Sequence, residues 1–359
     1  NLNLKSMKLK SLIMFSAALM TFAACSNDEE GFKGQNLDGN GVVEVSIVAP
    51  TSRALVDGTE GNEAVVVTGP ITVKLTAGSG IQTEEIDPST GGTHTVKFYG
   101  VTAPTKVEAY VNNGDTEGQG ATDITLMQDE PEKIPAYGST ESFNLSGKAE
   151  TVEGITYEMY SASVKMAIPV ARLEVSGIKH VTHPVKDDPD EATCDFATLT
   201  IDGIYLDKVK TTATGKVEDY CMPADEENDI PAPILFDEIE SASFLAADAV
   251  WPAEEGKAYA YNFYPDATQQ PLLKIYFANA TSSDPTNPAV QPRYAVIKTY
   301  NGDPNFKFEA GKIYRIKDVT LKDKNIIVDE EGNATYGVDV TVEEAVWTPV
   351  DITGQWEEY

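Results

Sequence analysis

The sequence predicts an all-β chain organised as two tandem β-sandwich domains. Three observations point there. Apolar and polar residues alternate with period 2 in many short runs, as in Val43-Glu44-Val45-Ser46-Ile47, the signature of a strand with one face in a core. Glycine, proline and Asn-Gly-Asp clusters separate these runs at the spacing of a sandwich. Neither βαβ alternation nor a long amphipathic helix interrupts them.

Residues 1–24 read as a signal peptide. Lys5, Lys8 and Lys10 precede the apolar run 12–20, and Thr21-Phe22-Ala23-Ala24 leads to Cys25. A basic start, an apolar run too short to span a bilayer stably and small residues before the cut are what export requires. Met7 is a candidate for the true start. The small residues ahead of Cys25 resemble the lipobox of bacterial lipoproteins, which implies acylation of Cys25. Each buried methylene contributes about 0.8 kcal/mol, so more than one acyl chain anchors stably. The alternative is an ordinary signal with an incidental cysteine. Residues 26–30 form an acidic tether, resembling the surface-export signals of some Gram-negative lipoproteins, and 31–39 a flexible linker. Residues 36–41 imitate half a calcium loop, but the position that needs glutamate is Ile47, so the stretch reads as a turn into a strand.

That strand is the pivot of the chain. Val43, Val45 and Ile47 would face a core while Glu44 and Ser46 face solvent. Pro50 cannot donate to a ladder, and the polar stretch 51–53 reads as an exposed connection open to a protease. Of the four arginines, Arg172, Arg293 and Arg315 lie inside or beside apolar runs, which leaves Arg53 as the target, with cleavage between Arg53 and Ala54. Residues 25–53 thus read as a lipidated propeptide carrying a removable first strand.

Residues 54–164 are expected to form the N-terminal sandwich, with strands over 65–68, 71–75, 93–99, 105–111, 141–145 and 156–164 and one helical turn over 121–128. Residues 165–359 are expected to form the C-terminal sandwich. Its strands are a run across 163–175 and segments 197–206, 258–264, 272–278, 294–300 and 312–321, joined by acidic loops that read as solvated tips.

The chain closes on an echo of its first strand. Val338-Asp339-Val340-Thr341-Val342 matches Val43-Glu44-Val45-Ser46-Ile47 position by position: β-branched, acidic, β-branched, hydroxyl, β-branched. Both strands suit one kind of groove, so a tail from another molecule could fill the place of a first strand cut away after Arg53. Glu343-Glu344 breaks the phase as a bulge or turn would, and Val346, Thr348, Val350 and Ile352 resume it. Val338, Val340, Val342, Val346, Trp347, Val350 and Ile352 are the candidate donor residues. The competing reading is an edge hairpin that stays in its own molecule.

Composition narrows the chemistry. A net charge of −30 removes the basic footprint that nucleic acid requires, and self-association at this charge needs a specific apolar contact. No G-x-S-x-G, phosphate loop or dinucleotide-binding glycine pattern occurs, and no pair of carboxylates stands out, so the chain reads as no enzyme and as needing no cofactor. His180 and His183 have metal-compatible spacing, but Pro184 and the β-rich surroundings argue against a helix that would align them. Cys194 and Cys221 could pair in an oxidising compartment or remain small buried residues.

Cys25, the early strand followed by Ser52-Arg53-Ala54, Val170-Ala171-Arg172-Leu173-Glu174-Val175, Gly311-Lys312-Ile313-Tyr314-Arg315-Ile316-Lys317-Asp318-Val319 and the valine-rich end stand in a telling order. Together they resemble the fimbrillins, the major pilus subunits of Bacteroidales bacteria, over nearly the whole chain. The resemblance implies β-sandwich domains of transthyretin-like, Greek-key topology and secretion as a lipidated outer-membrane precursor. It implies cleavage by an Arg-specific protease and polymerisation by donor-strand exchange with other copies and related pilus subunits, building a fimbrium that supports adhesion. Two alternatives stand beside it: an anchor or tip subunit of the same pilus, and a surface lipoprotein whose 16 tyrosines and 3 tryptophans line a glycan cleft.

Overall fold

The structure, a computed structural model, describes residues 39–48, 70–87, 93–111, 124, 128, 134–181, 196–222, 224–246, 248–282, 293–303, 305–326 and 338–346. All of them belong to one compact unit, Asn36–Tyr359, and nearly all regular structure in them is β-strand. The signal and lipidation segment with Cys25, the cleavage site at Arg53 and Ala54, the expected strand over 65–68, His183, Cys194 and the tail residues Trp347, Val350 and Ile352 lie outside the described residues.

Eight strands come first: β1 (Gly41–Val48), β2 (Ile71–Ala77), β3 (Gly80–Ile86), β4 (Thr93–Val101), β5 (Pro104–Val111), β6 (Ala136–Thr140), β7 (Asn144–Val152) and β8 (Ile155–Lys165). They make two four-stranded sheets, ordered β4-β1-β8-β7 and β3-β2-β5-β6. Alternation decides which side chains meet. Val43, Val45 and Ile47 of β1, Ile71, Val73 and Leu75 of β2, Val107 and Ala109 of β5 and Val164 of β8 are all fully buried in one core.

Fourteen strands follow: β9 (Ala171–Val175), β10 (Ile178–His180), β11 (Phe196–Asp207), β12 (Val209–Lys210), β13 (Val217–Glu218), β14 (Phe236–Ser243), β15 (Val250–Trp251), β16 (Tyr259–Phe263), β17 (Leu272–Ser282), β18 (Arg293–Tyr300), β19 (Lys312–Ile316), β20 (Val319–Leu321), β21 (Val338–Val340) and β22 (Glu343–Val346). A five-stranded sheet β14-β11-β17-β18-β21 and a four-stranded sheet β16-β9-β19-β22 dominate, with a smaller sheet β15-β10-β20 beside them.

Three expected strands are redrawn. The run across 163–175 is two strands, because Pro169 falls in the gap between β8 and β9 and cannot donate to a ladder. The segment 312–321 is also two strands, and they lie in different sheets. The parallel pairs β9–β19 and β10–β20 switch sheet together at Gly177 and Lys317, where Ser176 N donates to Ile316 O at 2.8 Å and Val319 N to Gly177 O at 3.1 Å. Gly177 has φ 69° and abuts the Lys317 carbonyl, so no side chain fits there. The strand expected over 141–145 straddles a turn between β6 and β7, closed by Ser142 N donating to Thr140 Oγ1 at 3.1 Å.

The residues described from the β5–β6 connection reach the later half of the chain. Ile124 is fully buried and its N–H donates to Thr211 O at 2.8 Å. Gln128 is helical, within the turn expected over 121–128, and its side-chain amide donates to Asn262 O at 2.6 Å and accepts from Asn262 N at 2.9 Å along the edge of β16.

Candidate functional site

The two sequence stretches singled out at the ends of the chain occupy very different places. β1 is an interior strand. It pairs antiparallel with β4 along Val42↔Tyr99 to Val48↔Thr93 and parallel with β8 along Gly41↔Glu158 to Val48↔Lys165. The second ladder continues past both ends, with Glu158 N donating to Asn40 O at 2.8 Å and Met166 N to Val48 O at 3.0 Å. Packing is close at the strand's start: a Cβ on Gly41 would sit 2.8 Å from Val101 O and 3.1 Å from the Tyr160 ring. Val43, Val45 and Ile47 face the core as expected, and burial of such side chains is worth about 1.5–3 kcal/mol each.

The outward face of β1 carries one charge into a cluster. Glu44 stands opposite Lys97 of β4, with 3.6 Å between Oε2 and Nζ. Lys97 Nζ also donates to Glu150 Oε2 of β7 at 2.8 Å, and Tyr99 Oη donates to Glu150 Oε1 at 3.0 Å. Burial by itself would lower the Lys97 pKa, but the hydrogen bond and charge of Glu150, with smaller contributions from Tyr99 and Glu44, raise it above the ordinary lysine value. Lys97 therefore stays a cation throughout the physiological range.

The tail lies at edges. Among the described residues, β21 is the outermost strand of its sheet and pairs, parallel, with β18 alone; β22 is the outermost strand of the other sheet and pairs, antiparallel, with β19 alone. Val340 and Val342 are buried and Thr341 is exposed, the same alternation as in β1. The phase break falls at Thr341-Val342, where the chain crosses from one sheet to the other, and not at Glu343-Glu344, which lie inside β22. Asn301, at φ 55°, fastens this crossing. Its N–H donates to Val340 O at 2.8 Å, its Oδ1 accepts from Val342 N at 2.7 Å and its Nδ2 donates to Val342 O at 3.3 Å.

The three other arginines are enclosed. Arg172 and Arg293 are 3% and 8% exposed, and Arg315 Nε donates to Glu174 Oε2 at 2.7 Å while Arg172 Nε donates to Glu174 Oε1 at 2.8 Å. Asp323 Oδ1 accepts a hydrogen bond from His180 Nε2 at 2.8 Å inside the fold, and among the described residues no group of three or more His, Cys, Asp or Glu is placed to hold a metal ion. Cys221 is a free thiol whose Sγ lies 3.9 Å from the Tyr294 hydroxyl. No helix among the described residues is long and apolar enough to cross a membrane.

Lys97, Asn301 and Glu174 are the residues that reading by alternation missed. Each acts through a partner at least 41 positions away in the sequence, so the pairing of the strands had to be known before the role could be seen.

No family model and no curated protein matches the chain. Solved structures do. The fold is shared with a candidate cell adhesion protein from Bacteroides eggerthii DSM 20697, at 16% identity and a TM-score of 0.51, covering 88% of this chain and 98% of that one. A fimbrilin from Porphyromonas gingivalis W83 aligns at 12% identity over 88% of this chain and 99% of its own, with a TM-score of 0.43.

Proposed function

We propose that this chain is a structural subunit of a surface pilus: exported as a lipoprotein precursor, cut after Arg53, and joined to its neighbours when the tail of one copy replaces β1 of the next. The observation that carries this reading is the contrast between the two ends. β1 has a hydrogen-bonded neighbour on each side and an apolar face sealed in the core, whereas β21 and β22 each have one neighbour among the described residues.

The physics favours exchange. Taking β1 away would leave β4 and β8 with unpaired backbone groups facing each other across an empty slot, a template for strand addition. A tail strand moving from a sheet edge into that slot would gain a second ladder, at about 0.5–1.5 kcal/mol per hydrogen bond. The burial at stake is comparable with the stability of a whole domain, about 5–15 kcal/mol. Donor and acceptor are different surfaces of one molecule, so the contact is head-to-tail and propagates into a filament. The enclosure of Arg172, Arg293 and Arg315 supports cleavage confined to Arg53. The names of the two aligned structures, a candidate adhesion protein and a fimbrilin, agree with the role.

The test is limited digestion of the purified precursor with an arginine-specific protease. Ladders that survive mild denaturant are expected from the full chain and not from a chain truncated after Glu331. Polymers from the truncated chain would remove the tail as donor.

A further inference from the structure

We infer that Lys97 is the residue by which the slot reads an incoming strand, selecting an acidic side chain between two β-branched apolar ones and so fixing the register of the partner's tail. The inference rests on the strand-exchange reading above and adds a specificity determinant to it.

The argument starts from what Lys97 does with the strand already in place. It faces Glu44 directly across the β1–β4 ladder, and its ammonium is held on the outer face of the sheet by Glu150 at 2.8 Å, itself fixed by Tyr99. Nothing in that arrangement except Glu44 leaves with β1. The slot would keep a positioned cation beside it, between apolar sites once filled by Val43 and Val45.

The tail offers two acids between β-branched neighbours, Asp339 and Asp351, and only Asp339 also brings an apolar residue to the place of the fully buried Ile47, where the Asp351 register would bring Gly354. Aligning Val338-Asp339-Val340-Thr341-Val342 on Val43-Glu44-Val45-Ser46-Ile47 sets Asp339 opposite Lys97, Thr341 opposite Thr95, and Val338, Val340 and Val342 in the core. Other registers fail for stated reasons, since a strand can slip only in steps of two without turning its apolar face outward. Two residues one way, Glu344 would take the place of the fully buried Ile47. Two residues the other way, Gly337 would face Lys97 and offer it no acid, while Tyr336 would take the place of the fully buried Val43. Apolar alternation alone accepts this second slip, and the charge opposite Lys97 tells against it. The fitting partner is therefore a second copy of this chain, or any strand with the same apolar-acidic-apolar pattern.

The experiment is a competition between two synthetic strands on the cleaved full-length chain. Both span residues 336–346, one natural and one carrying Asp339→Lys, each with a different label. Competition cancels how fast β1 leaves, because both strands enter the same slot. The natural strand is expected to win by roughly two- to fivefold at low salt, the range of a partly exposed ion pair, with the preference fading as salt rises. An acceptor bearing Lys97→Glu, with Glu44→Lys to keep β1 paired before cleavage, is expected to prefer the Asp339→Lys strand. Lys97→Gln is expected to accept both strands equally, which covers the case in which the reversed acceptor fails to fold. Equal uptake of the two strands by the natural acceptor overturns the role of Lys97 and leaves strand exchange standing. If neither strand enters and the cleaved chain forms no ladders, strand exchange falls and the role of Lys97 with it.

Discussion

Glu174 accepts a hydrogen bond from Arg172 on its own strand and another from Arg315 on the neighbouring strand, so one carboxylate ties β9 to β19. Burial alone would raise its pKa; the charge and hydrogen bond of Arg172, then those of Arg315, outweigh it and hold the group below 4.5. A folded pKa below the unfolded one means that the contribution to stability is complete above the unfolded value and is lost as the pH falls through the folded one. Glu174→Gln is therefore expected to cost about 1–3 kcal/mol at neutral pH. Urea melts should show the gap from the parent narrowing below about pH 4.5; a gap independent of pH would mean that the ion pairs contribute nothing. Half of this cluster was legible in the sequence, since residues two apart on a strand share a face and Arg172 and Glu174 are such a pair. Arg315 was not, because it is 141 positions from Glu174 and only the parallel register of β9 and β19 brings it there.

At the scale of the element, strands with a core face were readable and strands without one were not. β1, β2 and β17 alternate between buried and more exposed positions over most of their length, and the sequence pattern marks them. β3 has no fully buried residue and β7 none either, so neither carries the pattern by which a strand is recognised. The tail was readable as a strand, but its division between two sheet edges was not, because Asn301 fastens it from a turn that looks like any other polar loop. Asn301→Gly keeps the left-handed backbone and removes both side-chain bonds to Val342, at about 0.5–1.5 kcal/mol each. Faster amide exchange at Val340 and Val342 and faster ladder formation after cleavage are expected from it. Unchanged exchange at these amides would show that the two side-chain bonds of Asn301 do not hold the crossing.

At the scale of the molecule, the sequence supplied the all-β class through the density of its short alternating runs, while the way the β5–β6 connection reaches Thr211 and Asn262 depends on contacts between distant segments that no local pattern encodes. The assembly account follows from placement: a core strand near the start of the chain, a look-alike at its end, and a charge of −30 that opposes association unless a specific apolar contact drives it. Cleavage at Arg53 would leave β1 bound in its slot until something displaces it, so the fate of that peptide reports the exchange directly. The decisive measurement is the amount of free peptide ending at Arg53, quantified by mass spectrometry as ladders grow. One peptide released per new junction, with retention in a chain truncated after Glu331, is the expected result. Polymers that keep one such peptide per subunit would contradict the replacement of β1 by a partner's tail.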